Sequence, residues 1–213
     1  MARPRTGLKE RLVRAARERF LAQGVDGASL RAIAREAGTT IGMVYYYFPA
    51  KDDLFVAVVE QVYARLLEGA LAAIAPRAEG EAFEPRLQRL YARLWRLTDE
   101  EFAVVGLLLR EVLTSSERVQ RVANLFLAGH LPHLARFLGD GLAAGALRDD
   151  LPPLAQLVTL MGLGMLPVLV SRIATKGGLL GQGDLPPPEA LAAIFSGIWL
   201  LGNQGPAAPD GRG

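Results

Sequence analysis

The side chains best suited to recognition chemistry lie in residues 39–55, with the sequence TTIGMVYYYFPAKDDLF. Three consecutive tyrosines supply hydroxyls that donate and accept hydrogen bonds, and Lys51 supplies a positive charge. Consecutive residues of a helix point in different directions, so the three tyrosines cannot all face one core. At least one should therefore be exposed to a partner; simple core packing of the others is the alternative.

Other reactive side chains are scarce. The sequence has no cysteine, which excludes disulfides, thiolate catalysis and cysteine-bound zinc. His130 and His133 are the only histidines; they are either solvent-facing or pocket-edge side chains, or a metal pair completed by Glu111 or Asp140. The glycines of residues 177–183 lack the Lys-Ser/Thr ending of a phosphate loop and indicate a linker. No catalytic site, cofactor or metal is therefore predicted.

Positive charge is concentrated near the N-terminus. Residues 1–54 contain ten Lys/Arg and six Asp/Glu, whereas the net charge of the whole chain is +2. This asymmetry fits either an anionic partner for one end of the protein or a solvated helix face. The N-terminal residues form a mixed amphipathic pattern rather than an apolar signal segment, which predicts a cytoplasmic protein. The most apolar run, residues 157–170, is shorter than the about 20 residues that span a bilayer, so we expect a buried helix and no membrane partner.

Hydrophobic periodicity predicts helices throughout, and hence an all-α protein. The first helix is expected to end at Gly24. The second, third and fourth helices should cover residues 30–37, 41–48 and 51 to about 75, and Ser29 and Thr40 should be the N-caps of the second and third. Five further amphipathic stretches lie at about residues 84–97, 99–113, 115–145, 152–176 and 187–202. Two short helices joined by a glycine-bearing turn are typical of a helix-turn-helix, whose second helix enters the major groove of DNA.

Residues 12–54 resemble the TetR (tetracycline repressor-like) family of bacterial transcription regulators. The resemblance rests on a spaced set: Ala16, Phe20, Gly24, Ser29, Ile33-Ala34, Ala37-Gly38, Gly42, Tyr45, Phe48, Lys51 and Leu54. The rest of the chain fits the family in length and helical character, with a weak similarity in residues 141–153 to the turn before the dimerisation helices. The resemblance implies a three-helix helix-turn-helix DNA-binding domain (residues 1–50), a helical ligand-binding and dimerisation domain (51–204) and a flexible tail (205–213).

The same resemblance implies that the third helix lies in the major groove of double-stranded DNA. The hydroxyl of Tyr45 should reach a phosphate, Phe48 should point inward, and Lys51 should meet a phosphate as a point charge. The predicted DNA-binding residues are Arg31, Thr40, Ile41, Gly42, Met43, Tyr45, Tyr46, Tyr47 and Lys51.

Three positions depart from the family pattern. Ile41 stands where a polar residue is usual, Met43 where a small one is usual, and Ala50 where a small polar N-cap is common. An alanine at an N-cap costs about 0.5–2 kcal/mol relative to serine or aspartate. Because Ile41 and Met43 carry no hydrogen-bond donor, base readout is expected to depend on thymine methyl groups.

The remaining helices should hold an apolar effector and form a dimer. Aromatic and methionine side chains suit an apolar ligand, and the candidate pocket residues are Tyr63, Tyr91, Trp95, Phe102, Leu109, Phe126, Met161 and Met165. The family's four-helix dimer seam implies Gly162, Gly164, Ala174, Ile194, Trp199 and Leu200 as interface residues. An ordinary internal core is the alternative for both sets.

These observations predict a homodimeric, ligand-responsive regulator, acting as a repressor, that binds a palindromic operator and is released by an apolar small molecule or an acyl-CoA. The alternative is a DNA-binding architectural or cell-division factor on the same fold without an effector. An enzyme with an appended DNA-binding module is a third and more distant interpretation.

Overall fold

The computed structural model describes residues 7–114, 116–181 and 183–203, and no strand occurs within them. The helices are α1 (Leu8–Gly27), α2 (Leu30–Glu36), α3 (Ile41–Tyr47), α4 (Lys51–Ile74), α5 (Phe83–Trp95), α6 (Asp99–Thr114), α7 (Ser116–Ala143), α8 (Pro153–Lys176) and α9 (Pro188–Asn203). The prediction of an all-α protein is confirmed, and each predicted helix is present with small shifts of its ends.

The predicted helix ends are confirmed in position. Gly24 ends the regular part of α1 with a φ of 78° and a ψ of 169°, and a short helical segment continues from there to Gly27. Glycine reaches this left-handed φ without a steric penalty. Ser29 and Thr40 do occupy the N-cap positions of α2 and α3, but neither side chain makes a capping hydrogen bond.

The chain forms two compact units. The first comprises the described residues up to Leu66 together with Thr98–Ala128, and the second comprises Leu67–Leu97 together with the described residues from Gly129 onward. α4 and α7 each contribute to both units. The predicted domain boundary after residue 50 does not coincide with this division, because α6 and the first part of α7 belong with the N-terminal helices. The predicted tail, residues 205–213, lies outside the described residues.

The core of the first unit joins α1–α3 to the beginning of α4. Phe20 of α1 and Phe55 of α4 are both fully buried, and their rings lie 6.3 Å apart in an edge-to-face arrangement. Ile33 of α2 and Val44 of α3 are buried in the same cluster. Burying such a side chain contributes about 1.5–3 kcal/mol to stability, so this core fixes α1, α2 and α3 against α4.

The second unit has a separate aromatic core. Phe83 of α5 stacks on Phe137 of α7 with ring centroids 4.4 Å apart, and Trp199 of α9 lies against Phe83. The indole Nε1 of Trp199 donates to the hydroxyl of Thr159 on α8 at 3.1 Å. α5, α8 and α9 all contact one another within this unit.

α8 is only partly buried. Within the described residues it is the one helix long and apolar enough to cross a membrane, although only 28% of its most apolar window is buried. Length and composition do not identify a membrane span, since core helices meet the same criterion. Gly164 and Val168 are buried, whereas Leu166 and Val170 are exposed. The prediction that residues 157–170 form a buried helix is therefore correct for one side of α8 and wrong for the other.

Candidate nucleic-acid interface

A tight glycine turn sets the angle between α2 and α3. Gly38 has a φ of 68°, its N–H donates to the carbonyl of Arg35 at 3.1 Å, and the N–H of Thr39 donates to that of Ala34 at 2.9 Å. These two bonds form a Schellman motif, which closes the C-terminus of a helix and needs a left-handed residue. Arg11 of α1 adds a bond from its Nε to the carbonyl of Ala37 at 3.2 Å.

Buried side chains hold α3 so that one face remains open to solvent. Val44 is fully buried and Phe48 is 4% exposed, which confirms the prediction that Phe48 points inward. Gly42, Tyr45 and Tyr46 share the opposite face because residues three and four apart are neighbours on a helix. Tyr45 is 53% exposed and Tyr46 is 71% exposed. Large aromatic side chains this exposed are available to a partner.

The side chains that flank this open face are partly buried. Ile41 and Met43 pack against the core of the first unit, and Tyr47 lies edge-to-face against Tyr46 with ring centroids 5.2 Å apart. The structure thus gives Met43 and Tyr47 a packing role that the sequence did not predict. Arg31 on α2 and Thr40 before α3 are exposed, as DNA-contacting residues must be.

Lys51 has contacts within the chain that the sequence did not predict. Its Nζ donates to the carbonyl oxygens of Val25 and Asp26, each at 3.0 Å. A positive group at the C-terminus of a helix interacts favourably with the helix dipole, and α1 has no basic residue of its own in its last turn. Lys51 therefore caps α1 while it begins α4.

The eight candidate pocket residues are divided between the two units. In the first unit the rings of Tyr63 and Phe126 lie 4.7 Å apart, and Phe102 is partly buried on α6, whereas Leu109 is 46% exposed. Two open grooves of this unit have volumes of ≈ 470 and ≈ 280 Å³, and none of the candidate pocket residues lines either of them.

The remaining candidates belong to the second unit. Tyr91 is buried, its hydroxyl donates to the carbonyl of Leu160 at 3.0 Å, and burial raises its pKa. Trp95 stacks on Phe195 with ring centroids 5.9 Å apart, and its buried indole Nε1 has no hydrogen-bond partner. Met165 is partly buried, but Met161 is 38% exposed. The exposure of Leu109 and Met161 and the satisfied hydroxyl of Tyr91 do not fit the predicted pocket, so its membership stays a prediction.

Three of the six predicted dimer residues lie inside their own unit. Trp199 is 1% exposed and Leu200 is 7% exposed. A Cβ on Gly164 would lie 2.8 Å from Leu94 Cδ1, so α5 of the same chain occupies the space beside this glycine. These three residues pack the internal core, and their assignment to a dimer seam is wrong. Gly162 and Ile194 are exposed and Ala174 is partly exposed, which leaves them available to a partner.

α8 and α9 carry exposed apolar side chains, of which only Ile194 is among the predicted interface residues. The α8 residues are Leu154, Val158, Met161, Leu166, Val170 and Ile173, and those of α9 are Ile194, Ile198 and Leu201. On α9 they recur every three or four residues, which places them along one side. On α8 the same spacing holds from Leu154 to Met161 and from Leu166 to Ile173, with a gap of five residues between the two groups. We call these nine residues the α8–α9 apolar face. On α9 the spacing of Ile194, Ile198 and Leu201 could have indicated an exposed apolar side from the sequence. On α8 no such prediction is possible, because the helix is apolar on every side.

The histidines do not form a metal site with acidic residues. Among the described residues, no group of three or more His, Asp or Glu side chains is placed to hold a metal ion. Asp140 instead accepts a hydrogen bond from Arg86 at 2.8 Å. Burial, with the nearby His133, lowers the pKa of His130.

Comparisons with known proteins agree with this geometry. Residues 12–58 match the family model of bacterial regulatory proteins, tetR family. The HTH-type transcriptional repressor NicS of Pseudomonas putida is 28% identical over 145 residues, 67% of each chain. The HTH-type transcriptional regulator SrpR of Pseudomonas putida is 47% identical over 51 residues, only 24% of each chain.

A solved structure shares the fold along most of the chain. The transcriptional regulator FadR from Bacillus subtilis, in complex with stearoyl-CoA, superposes with a TM-score of 0.72 at 20% identity, covering 91% of this chain and 98% of that one. At this identity the likeness concerns the fold alone. Residues 12–58 thus carry the helix-turn-helix segment of the tetR family, and the relatives that this chain resembles are named as transcriptional regulators.

Proposed function

We propose that the protein is a homodimeric regulator, acting as a repressor, that binds a palindromic DNA operator and is released by an apolar small molecule or an acyl-CoA. The observation that supports it most is the open face of α3, where Gly42, Tyr45 and Tyr46 are exposed while Val44 and Phe48 anchor the helix. Tyrosine hydroxyls can donate to phosphates and base edges. Such a regulator acts where the bacterial chromosome lies, in the cytoplasm.

The α8–α9 apolar face supports the dimer. Leu166 is 61% exposed, Ile173 is 63% exposed and Leu201 is 73% exposed, and an apolar face of this extent marks an interaction surface in a soluble protein. Pairing it with the same face of a second copy gives a two-fold, self-complementary interface. Two helices from each chain then form a four-helix seam, and the two-fold axis explains why the operator should be palindromic.

α4 is the element that can couple an effector to DNA. Its 24 residues extend about 36 Å, from Lys51 in the first unit to Ile74 in the second. At the far end, Arg86 donates to the carbonyl of Ile74 at 2.7 Å and Arg89 donates to those of Ala73 and Ala75 at 3.0 Å. Because α5 holds this end of α4, an effector that shifts α5 also shifts α4.

An acyl-CoA is the first effector class to test. A relative in fold, FadR of Bacillus subtilis, was solved with stearoyl-CoA, and aromatic and methionine side chains of this chain suit an acyl tail. An effector that binds the released state better by about 1–3 kcal/mol changes DNA affinity about 5–150-fold.

A randomised-site selection with the purified protein tests the proposal. It should return an inverted repeat whose half-site centres lie about 34–36 Å apart or at a multiple of that distance. Acyl-CoAs of increasing chain length should then lower the affinity for the selected duplex, measured by fluorescence anisotropy. Recovery of no preferred sequence would reject the operator, and a palindrome that no acyl-CoA or apolar metabolite releases would favour the architectural or cell-division factor.

A further inference from the structure

Arg118, near the start of α7, is a buried cation that holds three carboxylates. Its side chain is 10% exposed. Its Nε donates to Asp52 Oδ1 at 2.9 Å, its Nη1 donates to Glu111 Oε2 at 2.7 Å, and its Nη2 bonds Asp26. We call these four residues the Arg118 cluster. A planar guanidinium with five donors suits such a multiple contact better than an ammonium.

The three carboxylates come from different parts of the first unit. Asp26 lies in the last turn of α1, directly before α2, and Asp52 lies in the first turn of α4, directly after α3. Glu111 belongs to α6 and is 5% exposed. One guanidinium therefore joins both ends of the segment that carries α2 and α3 to α6 and α7.

A second arginine of α7 contacts the same end of α4. Arg121 donates to Asp53 Oδ1 at 2.8 Å, one turn further along α7 than Arg118. Two successive arginines of α7 thus bind two successive aspartates at the start of α4. This arrangement restrains rotation of the α2–α3 segment as well as its position.

The charges of the cluster depend on one another. The hydrogen bond from Arg118 lowers the pKa of Asp26. Removal of Arg118 would take the 2.7 Å hydrogen bond from the buried Glu111, whose contact with Arg110 is longer at 3.7 Å, and loss of a buried ion-pair partner is destabilising. Removal of Asp26 and Asp52, by contrast, leaves the buried Arg118–Glu111 pair intact.

We propose that Arg118 is a positioning residue for DNA binding: it fixes the orientation of the α2–α3 segment on α6 and α7 and so sets the separation of the two recognition helices in the dimer. The inference rests on the proposed function, because a defined separation matters only for a dimer on a two-part operator. Arg118 itself is buried and needs no contact with DNA.

If Asp26 and Asp52 acted only through their charge, removing them would have a different effect on DNA binding. Asp26 and Asp52 are negative charges on the helices that flank α2 and α3, so if they acted only through their charge, their removal would tighten binding to every duplex. If they instead orient the α2–α3 segment, their removal lets the two recognition helices adapt to several separations. The preference for one half-site spacing then falls while binding to nonspecific DNA does not.

The double variant Asp26→Ala/Asp52→Ala tests this difference. Its affinity is measured by fluorescence anisotropy for the selected operator, for operators with one base pair added or removed between half-sites, and for a nonspecific duplex. We expect the ratio of affinities between the best and the altered spacing to fall about fivefold or more, with nonspecific affinity unchanged or higher. The control is Glu10→Ala/Glu100→Ala, which also removes one first-turn acid and one ion-paired acid; because neither residue contacts α2 or α3, it should keep the wild-type ratio.

A further variant, Arg118→Lys, keeps the positive charge but loses the planar guanidinium with its five N–H donors. It should flatten the same spacing preference; should it fail to fold, the double variant still decides. A double variant with the wild-type ratio, whatever its overall affinity, would overturn the role of Arg118. A wild-type protein that shows no spacing preference at all would instead overturn the proposed function.

Discussion

The Nζ atom of Lys51 lies 3.0 Å from the carbonyl oxygen of Val25. Val25 lies in the last turn of α1 and Lys51 begins α4, so this contact ties together the two helices that flank α2 and α3. The ammonium has three N–H donors, two of which meet the carbonyls of Val25 and Asp26. A phosphate can accept the third, which combines a structural contact with the predicted DNA contact in one side chain.

Replacing Lys51 should therefore affect both DNA binding and stability. Lys51→Ala should weaken binding to specific and nonspecific duplexes about equally and lower the salt slope by about 1, since one phosphate contact is lost. It should also lower the free energy of unfolding by about 0.5–1.5 kcal/mol for each hydrogen bond lost. Tyr45→Phe should weaken DNA binding alone, because the exposed hydroxyl has no structural role. Salt titrations and urea unfolding separate the two effects, and an unchanged slope would remove Lys51 from the DNA surface.

Gly42 should be required for close approach to DNA. A Cβ at this position would meet only Thr40 Oγ1 at 3.9 Å, so Gly42→Ala fits the folded chain and should stabilise α3 by up to about 1 kcal/mol. The added methyl group projects from the face that carries Tyr45 and Tyr46, and it should weaken operator binding. Thermal unfolding and anisotropy measure the two changes of opposite sign.

Gly139→Ala is the matched control for Gly42→Ala. Gly139 is an exposed glycine inside α7 whose added Cβ would meet no atom within 4 Å. Its substitution should raise stability by a similar amount and leave DNA affinity unchanged. Equal effects of both substitutions on DNA binding would place the α3 face away from the groove.

Charged substitutions on neighbouring residues of α9 should separate dimerisation from folding. Ile198→Glu places a carboxylate on the α8–α9 apolar face, where Ile198 is 49% exposed, and should give folded monomers. Trp199→Glu should instead unfold the second unit, because Trp199 is 1% exposed and a lone buried charge is costly. Sedimentation equilibrium and circular dichroism distinguish these outcomes. A dimer that survives Ile198→Glu would reject this face as the interface.

The protein should lose stability in acid partly through Glu81. The hydrogen bond from Arg89 lowers the pKa of Glu81 from 4.5 to about 2. A carboxyl with a depressed folded-state pKa contributes stability above its unfolded pKa, and that contribution is lost as the pH falls from 4.5 towards 2. Glu81→Gln should therefore show a smaller fall in melting temperature across this range than the wild type. Parallel curves for the two proteins would show that the ion pair is not formed in solution.

Effector binding should be reciprocal with DNA binding. An acyl-CoA that lowers operator affinity by a given factor must itself bind the DNA complex more weakly by the same factor. Met165→Trp, within the predicted effector set, should abolish the response and leave operator affinity unchanged. Isothermal titration of the effector with and without operator measures the factor, and equal affinities in the two titrations would refute the coupling.

The sequence by itself determined the helix-turn-helix and its exposed tyrosines. These features depend on local physics: helical periodicity, a glycine that permits the left-handed turn at Gly38, and three adjacent tyrosines that cannot all face one core. Interactions of this kind span few residues, so their pattern is visible in the linear chain. The inward position of Phe48 follows from the same periodicity.

Only the tertiary structure decided which side of each apolar helix is covered. α8 is apolar all round, so its sequence carries no phase to separate the buried Val168 from the exposed Val170. The sequence predicts Trp199 as an interface residue, because size and hydrophobicity do not reveal whether the helix that covers it belongs to the same chain. Contact with α5 and α8 settles that choice.

The partners of the charged side chains likewise depended on long-range folding. Arg118 meets Asp52 across 66 residues and Asp26 across 92, and Lys51 meets Val25 across 26. A charged residue in a sequence is compatible with many partners, since ion pairing needs proximity rather than any spacing along the chain. The packing of α1, α4, α6 and the beginning of α7 in the first unit selects these pairs, and with them the groups that hold the DNA-binding helices.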